Sequence, residues 1–319
     1  MIKKLIRFIQ NPKPYILLIA DNLSKLGRDI VSLVAPYSFL DDKLFIKHRF
    51  EELLGYKLNL KCPKTFNEKI QWLKLYYRNP LYTKLADKYA VREYVKEKIG
   101  PNYLVKLLAV YDRPQQIDWQ SLPDKFVIKT THSSTLNILC EDKNVLDTQS
   151  AINKLENWMN FNHYRETNSR EWHVKNIEPK IVIEEFLNGD PEFGLLDYKF
   201  YCYWGAIIYI EVHIDRFTSH SCNIYDLSWN QLPFLHGFPH SKKEIDKPNN
   251  FEEMLSIAHK LSQRIPFCRV DLYNFNDKIY FGEMTFTPGG GFDRFDSYVT
   301  DLLFGQPLSL PENIDEIIF

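Results

Sequence analysis

The sequence has no charge excess of either sign. Its 40 Lys and Arg stand against 41 Asp and Glu, a net charge of -1. Nothing global suits a polyanion such as nucleic acid, although local basic patches stay open. It has no CxxC pair. The five cysteines, Cys62, Cys140, Cys202, Cys222 and Cys268, are scattered and odd in number, and read as reduced thiols of an intracellular, cytoplasmic protein. Long apolar runs are missing too: YILLIA near the start is far too short to span a bilayer. No small-residue cleavage site follows a long apolar core, so no signal peptide is expected. There is no GxSxG, no Walker A GxxxxGK(S/T) and no arranged Cys/His pair. His213 and His220 lack a third ligand at metal-binding spacing, and HGFPH (236–240) reads as a loop rather than a zinc site. No repeat or low-complexity segment is visible.

What remains is a chain of 319 residues with 45% hydrophobic residues. That suffices for a real core and for more than one packing unit. At the N-terminus Ile2, Leu5, Ile6 and Ile9 share one helix face, with Lys3, Lys4 and Arg7 elsewhere. This segment suits either a peripheral foot at the inner face of a membrane or a helix packed on its own domain. In CPKTFNEKIQWLKLYY, Thr65 followed by Glu68 is a capping box, and Ile70, Leu73 and Tyr77 give the apolar pattern after it. A helix is expected over 81–98, stopped by Gly100-Pro101, another over 148–160, and a third near 251–263 with Met254, Leu255, Ile257, Ala258 and Leu261 on its apolar side.

Strand signals begin after Pro123. KFVIKT (125–130), TLNILC (135–140), KIVIEEFL (180–187), DYKFYCYW (197–204) and AIIYIEVHI (206–214) are β-rich runs, the last two forming a hairpin near Gly205. Strands and helices alternate without a regular βαβα rhythm, so the expected class is α+β. The expected organisation is a helical extension over 1–80, a first lobe with linking helices over 81–180, and a second lobe over 181–319.

CRVDLYNFNDKIYFGEMTFTPGGG (268–291) forms the last hairpin and places an acid in each strand, Asp271 and Glu283. A two-residue loop at Asn276-Asp277 sets Gly282 opposite Asp271; a three-residue loop that adds Lys278 sets Glu283 there. The longer loop is favoured here. One face then shows Arg269, Asp271, Phe281, Glu283 and Thr285, and the other Val270, Leu272, Gly282 and Met284. Opposed Cβ atoms lie about 5 Å apart, so the two carboxylates repel unless a cation or proton intervenes. Oxygen ligands on a rigid hairpin suit Mg²⁺, and an adjacent arginine suits phosphate. The plainer reading is an exposed sheet face with ordinary ion pairs.

Lys129 lies inside a strand-like run and must reach water or an anion. The turn after it, His132-Ser133-Ser134, offers hydroxyls and backbone N–H groups that suit phosphate. Lys199 is a second lysine in a strand run. Either is otherwise an edge-strand lysine that discourages aggregation. VIEEFLNG is an apolar strand with two acids near its end; the backbone of such a crossover can read adenine, and a nearby carboxylate can take the exocyclic amine or the ribose hydroxyls.

Taken in order, these elements resemble the TupA-like family of the ATP-grasp superfamily, found with teichuronopeptide, capsule and other surface-polysaccharide genes. The matching stretches are LNLKCPKTFNEKIQWLKLYY (58–77), LADKYAVREYVKEKIG (85–100), DKFVIKTTHSSTLNI (124–138), IVIEEFL (181–187), DYKFYCYWG (197–205) and RVDLYNFNDKIYFGEMTFTPGGG (269–291). The resemblance implies two α+β lobes around an ATP cleft. It implies that Lys129 binds ATP phosphates and that Lys199 lies near phosphate or adenine. Glu184, Glu185, Phe186 and Leu187 then form the adenine hinge. Arg269 binds phosphate, and Asp271 and Glu283 hold Mg²⁺. The chain departs from the family pattern in two places. Thr285, a neutral oxygen ligand, stands where the superfamily motif ends in asparagine. HSST replaces a turn that is often glycine-rich.

The activity so implied is ATP-dependent ligation of a carboxylate to an amine through an acylphosphate. The expected partners are a uronic-acid-bearing sugar or glycan and an amino acid or small amine. Arg170, His173 and Lys175, or His213 and Arg216, are candidates for binding substrate anions, although each stretch also reads as a solvated loop. An ATP-dependent glycan kinase, a glycosyltransferase and a non-enzymatic assembly scaffold stay open. No DxD follows an apolar strand, because Asp41-Asp42 falls in a loop after Pro36.

Overall fold

A computed structural model describes residues 41–312 except 135, 168, 191, 217 and 218. The amphipathic segment expected at residues 2–9 lies outside the described residues. The chain divides into two compact units, 1–57 and 58–319. In the smaller unit, helix α1 (Asp42–Leu54) starts where Asp41 accepts from the backbone N–H of Lys43 at 2.9 Å and ends at Gly55. No helix among the described residues is long and apolar enough to cross a membrane.

The larger unit begins with α2 (Phe66–Tyr76), α3 (Leu81–Ala86) and α4 (Val91–Ile99). The capping box at α2 forms as its sequence requires: Thr65 accepts from the N–H of Glu68, and the Glu68 carboxylate accepts from the N–H of Thr65 at 3.2 Å. The same carboxylate also takes the N–H groups of Lys64 and Asn59. The single helix expected over 81–98 is two helices, broken around Asp87, whose side chain accepts from the N–H groups of Tyr89 and Ala90.

Next come β1 (Leu107–Tyr111), β2 (Phe126–Thr130), β3 (Asn137–Cys140), α5 (Thr148–Met159), α6 (His163–Glu166) and β4 (Ile181–Glu185). These four strands make an antiparallel sheet in the order β1-β4-β2-β3. One core lies here, around Phe126, Ile128, Ile181, Ile183 and Leu155. The expected lobe boundary at 180/181 splits this sheet, because β4 pairs with β1 and β2. The passage from one sheet to the other therefore falls between Glu185 and Asp197. Likewise α2, expected in the 1–80 extension, belongs to the larger unit.

The chain continues with β5 (Asp197–Tyr203), β6 (Ala206–Ile214), β7 (Ser221–Tyr225), β8 (Gln231–Leu232), α7 (Phe251–Ser262), β9 (Phe267–Phe275), β10 (Lys278–Thr285) and α8 (Tyr298–Gly305). These strands form a second antiparallel sheet, ordered β10-β9-β5-β6-β7-β8. One face buries Phe200, Cys202, Val212, Val270 and Leu272 in a core shared with Met254, Ile257 and Leu261 of α7. The other face changes character along its strands. Tyr201, Tyr203 and Phe267 pack with Phe66 of α2 and Phe304 of α8 at one end. Asp197, Lys199, Glu211, His213, Arg269 and Asp271 follow on the same face, since antiparallel partners and alternate residues share a side. The α+β expectation holds.

The terminal hairpin corrects its expected loop. Lys278 pairs with Phe275, so the loop has two residues, Asn276 and Asp277, at φ 51° and 56°. Both positive values are what a type I′ turn needs. A bulge at Gly282 then restores the pairing of Glu283 with Asp271 and of Thr285 with Arg269. Phe281 shifts with it: it pairs with Leu272 and joins the core rather than the Arg269 and Asp271 face. A Cβ on Gly282 would meet the Asp271 carbonyl oxygen at 3.0 Å and the Tyr273 ring at 3.2 Å, which explains the glycine.

Candidate active site

Between the two sheets lie two connected cavities of about 130 and 490 Å³, sharing Lys88, Ser134, Lys199, Arg216 and Glu283 in their walls. The four-stranded sheet contributes Lys129 and Glu184; the six-stranded sheet contributes Asp197, Lys199, Arg269, Asp271 and Glu283.

On the first sheet, Glu184 is buried and pairs with Lys129 Nζ at 2.8 Å and Arg92 Nη1 at 2.7 Å. Arg92 also donates to the Val105 carbonyl at 2.8 Å. Glu184 thus fixes two cations at the floor of the smaller cavity. The other three residues of the expected adenine hinge are not in the cavity walls. Glu185 is exposed, Phe186 and Leu187 are half-buried, and none of the three lines either cavity. Alternation along the strand turns Glu185 away from Glu184's side, and β4 ends at Glu185.

On the second sheet a chain of charges runs across β5 and β9. Asp271 takes two bonds from Arg269, Nε and Nη2, each at 2.7 Å. Lys199 Nζ reaches Asp271 at 2.5 Å and Asp197 at 2.7 Å, and Arg216 reaches Asp197 at 2.6 Å. Burial opposes ionisation of Asp271, but Arg269 and Lys199 beside it bring its carboxyl down to about 2. Glu283 differs. Its side chain is 40% exposed, and its contacts are long: Arg269 at 3.5 Å and the Thr285 hydroxyl at 3.3 Å. Asp271 is saturated with cations; Glu283 faces the cleft with lone pairs to spare.

The turn after β2 borders both cavities. His132 and Ser133 are buried, Ser134 is exposed, and Thr135 is not among the described residues. Lys88 donates its Nζ to the Ser133 carbonyl, and its N–H to the Thr131 carbonyl at 3.3 Å, so the turn is tied to the segment between α3 and α4. Burial lowers the Lys88 ammonium pKa.

Of the anion-binding candidates, His173, His213 and Arg216 line the larger cavity. Arg170 and Lys175 lie against the Tyr164 ring at 5.3 and 4.8 Å and do not. A small network opposite them joins His163 to Glu171 at 2.9 Å and Glu171 to the Thr287 hydroxyl at 2.6 Å. Burial works against the Glu171 charge, yet His163, His173 and Thr287 bring its carboxyl down to about 2. Beyond Thr287, three successive glycines at φ 52°, 68° and 74° turn the chain under this wall. Gln71 donates to the Gly291 carbonyl at 2.6 Å, and a Cβ on Gly291 would meet its Nε2 at 2.7 Å.

Lys88, Arg92 and Asp197 are site residues that sequence reasoning missed. LADKYAVREY is a helix pattern, and nothing in it marks a lysine at a helix break or an arginine that reaches a neighbouring strand. Asp197 reads as an ordinary strand-start acid.

A family model described as TupA-like ATP-grasp matches residues 68–309, a span that includes both sheets and every charged residue just described. The chain belongs to the TupA-like ATP-grasp family. It is thereby a member of an enzymatic fold class. No curated protein matches it. Among solved structures it is similar to D-alanine–D-alanine ligase from Helicobacter pylori, at 15% identity and TM-score 0.41, with 77% of this chain and 69% of that one covered. The same enzyme from Bacillus anthracis, complexed with ATP, gives 14% identity and TM-score 0.36, with 63% and 53% covered. D-cycloserine synthetase DcsG gives 12% identity and TM-score 0.40, with 76% and 77% covered. This TupA-like chain thus spans between about half and three quarters of those proteins, and its family assignment rests on the family model.

Proposed function

We propose that the cleft of this TupA-like protein binds ATP with Mg²⁺ and that the enzyme joins a carboxylate to an amine. The observation that supports this best is the convergence of Lys129, Lys199, Arg269 and Lys88 on one cleft with Asp271, Glu283 and Thr285 of a single hairpin. Cations from both sheets around paired hard-oxygen donors suit a polyphosphate carrying a divalent ion.

The donor set fits Mg²⁺. Glu283 presents an underused carboxylate, Thr285 a neutral hydroxyl, and Asp271 a second carboxylate at the opposed register position. Asp271 joins an ion only by giving up a contact to Lys199 or Arg269, which frees that cation for phosphate oxygens. When bound, the ion and nucleotide supply a γ-phosphoryl group with its charge neutralised, and its transfer makes a carboxylate oxygen part of a leaving phosphate. Lys129, held by Glu184, and Lys199, held by Asp197, offset negative charge from opposite walls. An amine then attacks the acyl carbon, phosphate departs and an amide remains. The reaction requires that water be excluded, so that the amine wins over hydrolysis.

The larger cavity suits the acid substrate, because Arg216, His213 and Lys88 line it beside Glu283. We take the substrates to be a uronic-acid-bearing glycan or its nucleotide-linked form and a small amine or amino acid, in surface-polysaccharide assembly on the cytoplasmic side. The test is product analysis: ADP and orthophosphate should appear together and only when both an acid and an amine are supplied. ADP with a phosphorylated glycan and no amine requirement would identify a kinase instead.

A further inference from the structure

We propose that Glu211, His213 and Cys222 form a zinc-type metal site on the same sheet face as the cleft, separate from the hard-oxygen hairpin. Sequence spacing offered His213 no third partner beyond His220. Strand pairing supplies one. His213 and Cys222 are directly opposed on β6 and β7, and Glu211, two residues before His213, shares their face. Among the described residues, their ligand atoms all lie within 4.8 Å of one another.

The separations decide between a hydrogen-bonded cluster and a shared ion. His213 Nε2 lies 3.5 Å from Glu211 Oε2 and 3.8 Å from Cys222 Sγ. Those distances are long for strong hydrogen bonds. They are close to the edges of a tetrahedron around zinc: bonds of about 2.0–2.1 Å to nitrogen or oxygen and about 2.3 Å to sulfur put neighbouring ligands about 3.3–3.6 Å apart.

Outer contacts already orient the ligands. His213 Nδ1 is 2.8 Å from His220 Nε2, which leaves Nε2 directed at Cys222 and Glu211. Glu211 Oε1 is 2.5 Å from His236 Nδ1, and His236 Nε2 is 3.3 Å from Asp293. Such second contacts fix ring tautomers and carboxylate rotamers at metal sites. All three ligands are buried, at 1%, 7% and 2% exposure. A dication offsets one carboxylate and one thiolate, the thiol proton passing to solvent as the Sγ–metal bond forms. Mixed sulfur, nitrogen and oxygen donors favour zinc over magnesium. His213 and His220 line the larger cavity, so the proposed site lies beside it.

The test uses untagged full-length protein stripped with chelator, then titrated with Zn²⁺ and Co²⁺ alone, without nucleotide. One ion should bind per chain, and the cobalt form should show a sulfur-to-cobalt charge-transfer band with tetrahedral ligand-field bands. Cys222→Ser should remove that band, and His213→Ala should weaken binding at least tenfold. Cys62→Ser, at an exposed cysteine, should change neither. Wild-type protein that binds no stoichiometric zinc or cobalt would overturn the proposal whether or not the variants fold. So would a cobalt complex without the thiolate band, or binding that survives both substitutions. Failure here leaves the ATP reading intact, because neither ion nor readout involves nucleotide.

Discussion

Asp271 and Glu283 oppose each other across one hairpin, yet their removal should have different consequences. Asp271 is 1% exposed and takes bonds from two cations, Arg269 twice and Lys199 once. Asp271→Asn leaves both beside a neutral amide, Lys199 with Asp197 alone and Arg269 with the 3.5 Å contact to Glu283. Breaking a buried ion pair from one side costs about 3–5 kcal/mol. At about 2–4 °C per kcal/mol for a unit of this size, Tm should fall by about 6–20 °C. Glu283 is 40% exposed with one ion-pair contact at 3.5 Å. Glu283→Gln should therefore cost no more than about 1 kcal/mol. Thermal unfolding at pH 7, read by circular dichroism, compares the two. A Tm loss below about 3 °C for Asp271→Asn would refute the buried-charge argument. Glu283→Gln is then the cleaner probe of nucleotide binding, since its fold is preserved.

Three further outcomes follow from the same geometry. Asp271 and Glu171 both ionise near 2 in the folded chain, below their ordinary values of 3.8 and 4.5. Their stabilisation is present above the unfolded pKa and is lost as pH falls through the folded one. The urea midpoint should thus decline between pH 4.5 and 2, and Glu171→Gln should flatten that decline; an unchanged slope in the variant would contradict the assignment. Gly282→Val should destabilise by about 1–3 kcal/mol, because its side chain meets the Asp271 carbonyl and the Tyr273 ring. Wild-type stability by urea titration would mean the bulge is not required. Thr65→Ala should cost about 0.5–2 kcal/mol through loss of the α2 cap, and an unaltered urea midpoint would count against the cap.

Much of this arrangement is legible in the sequence because local signals and tertiary structure agree there. Thr65 and Glu68 announce their helix by a spacing that only a capping box needs, and the apolar runs at 126–130, 181–185 and 197–203 are strands. The acids of the last hairpin were readable as a facing pair, but for the wrong loop. Asn276-Asp277 makes a two-residue turn, and the compensating bulge depends on how closely Gly282 approaches Asp271, a contact that local pattern does not encode. The ion pairs of Glu184 were illegible for a similar reason. Its partner Arg92 lies on a helix 92 positions away in the chain, so the carboxylate is committed to an ion network that no spacing rule reveals. Lys88 and Cys222 became visible only once strand order and the break between α3 and α4 were known.

Under the proposed function this cleft holds ATP through a metal ion on the hairpin. Calorimetric titration of ATP into the wild-type protein, with and without Mg²⁺, tests it most directly when run beside Glu283→Gln. The account predicts magnesium-dependent binding in the wild type that the folded variant loses. A folded wild-type protein that binds no nucleotide in the presence of Mg²⁺ would contradict it.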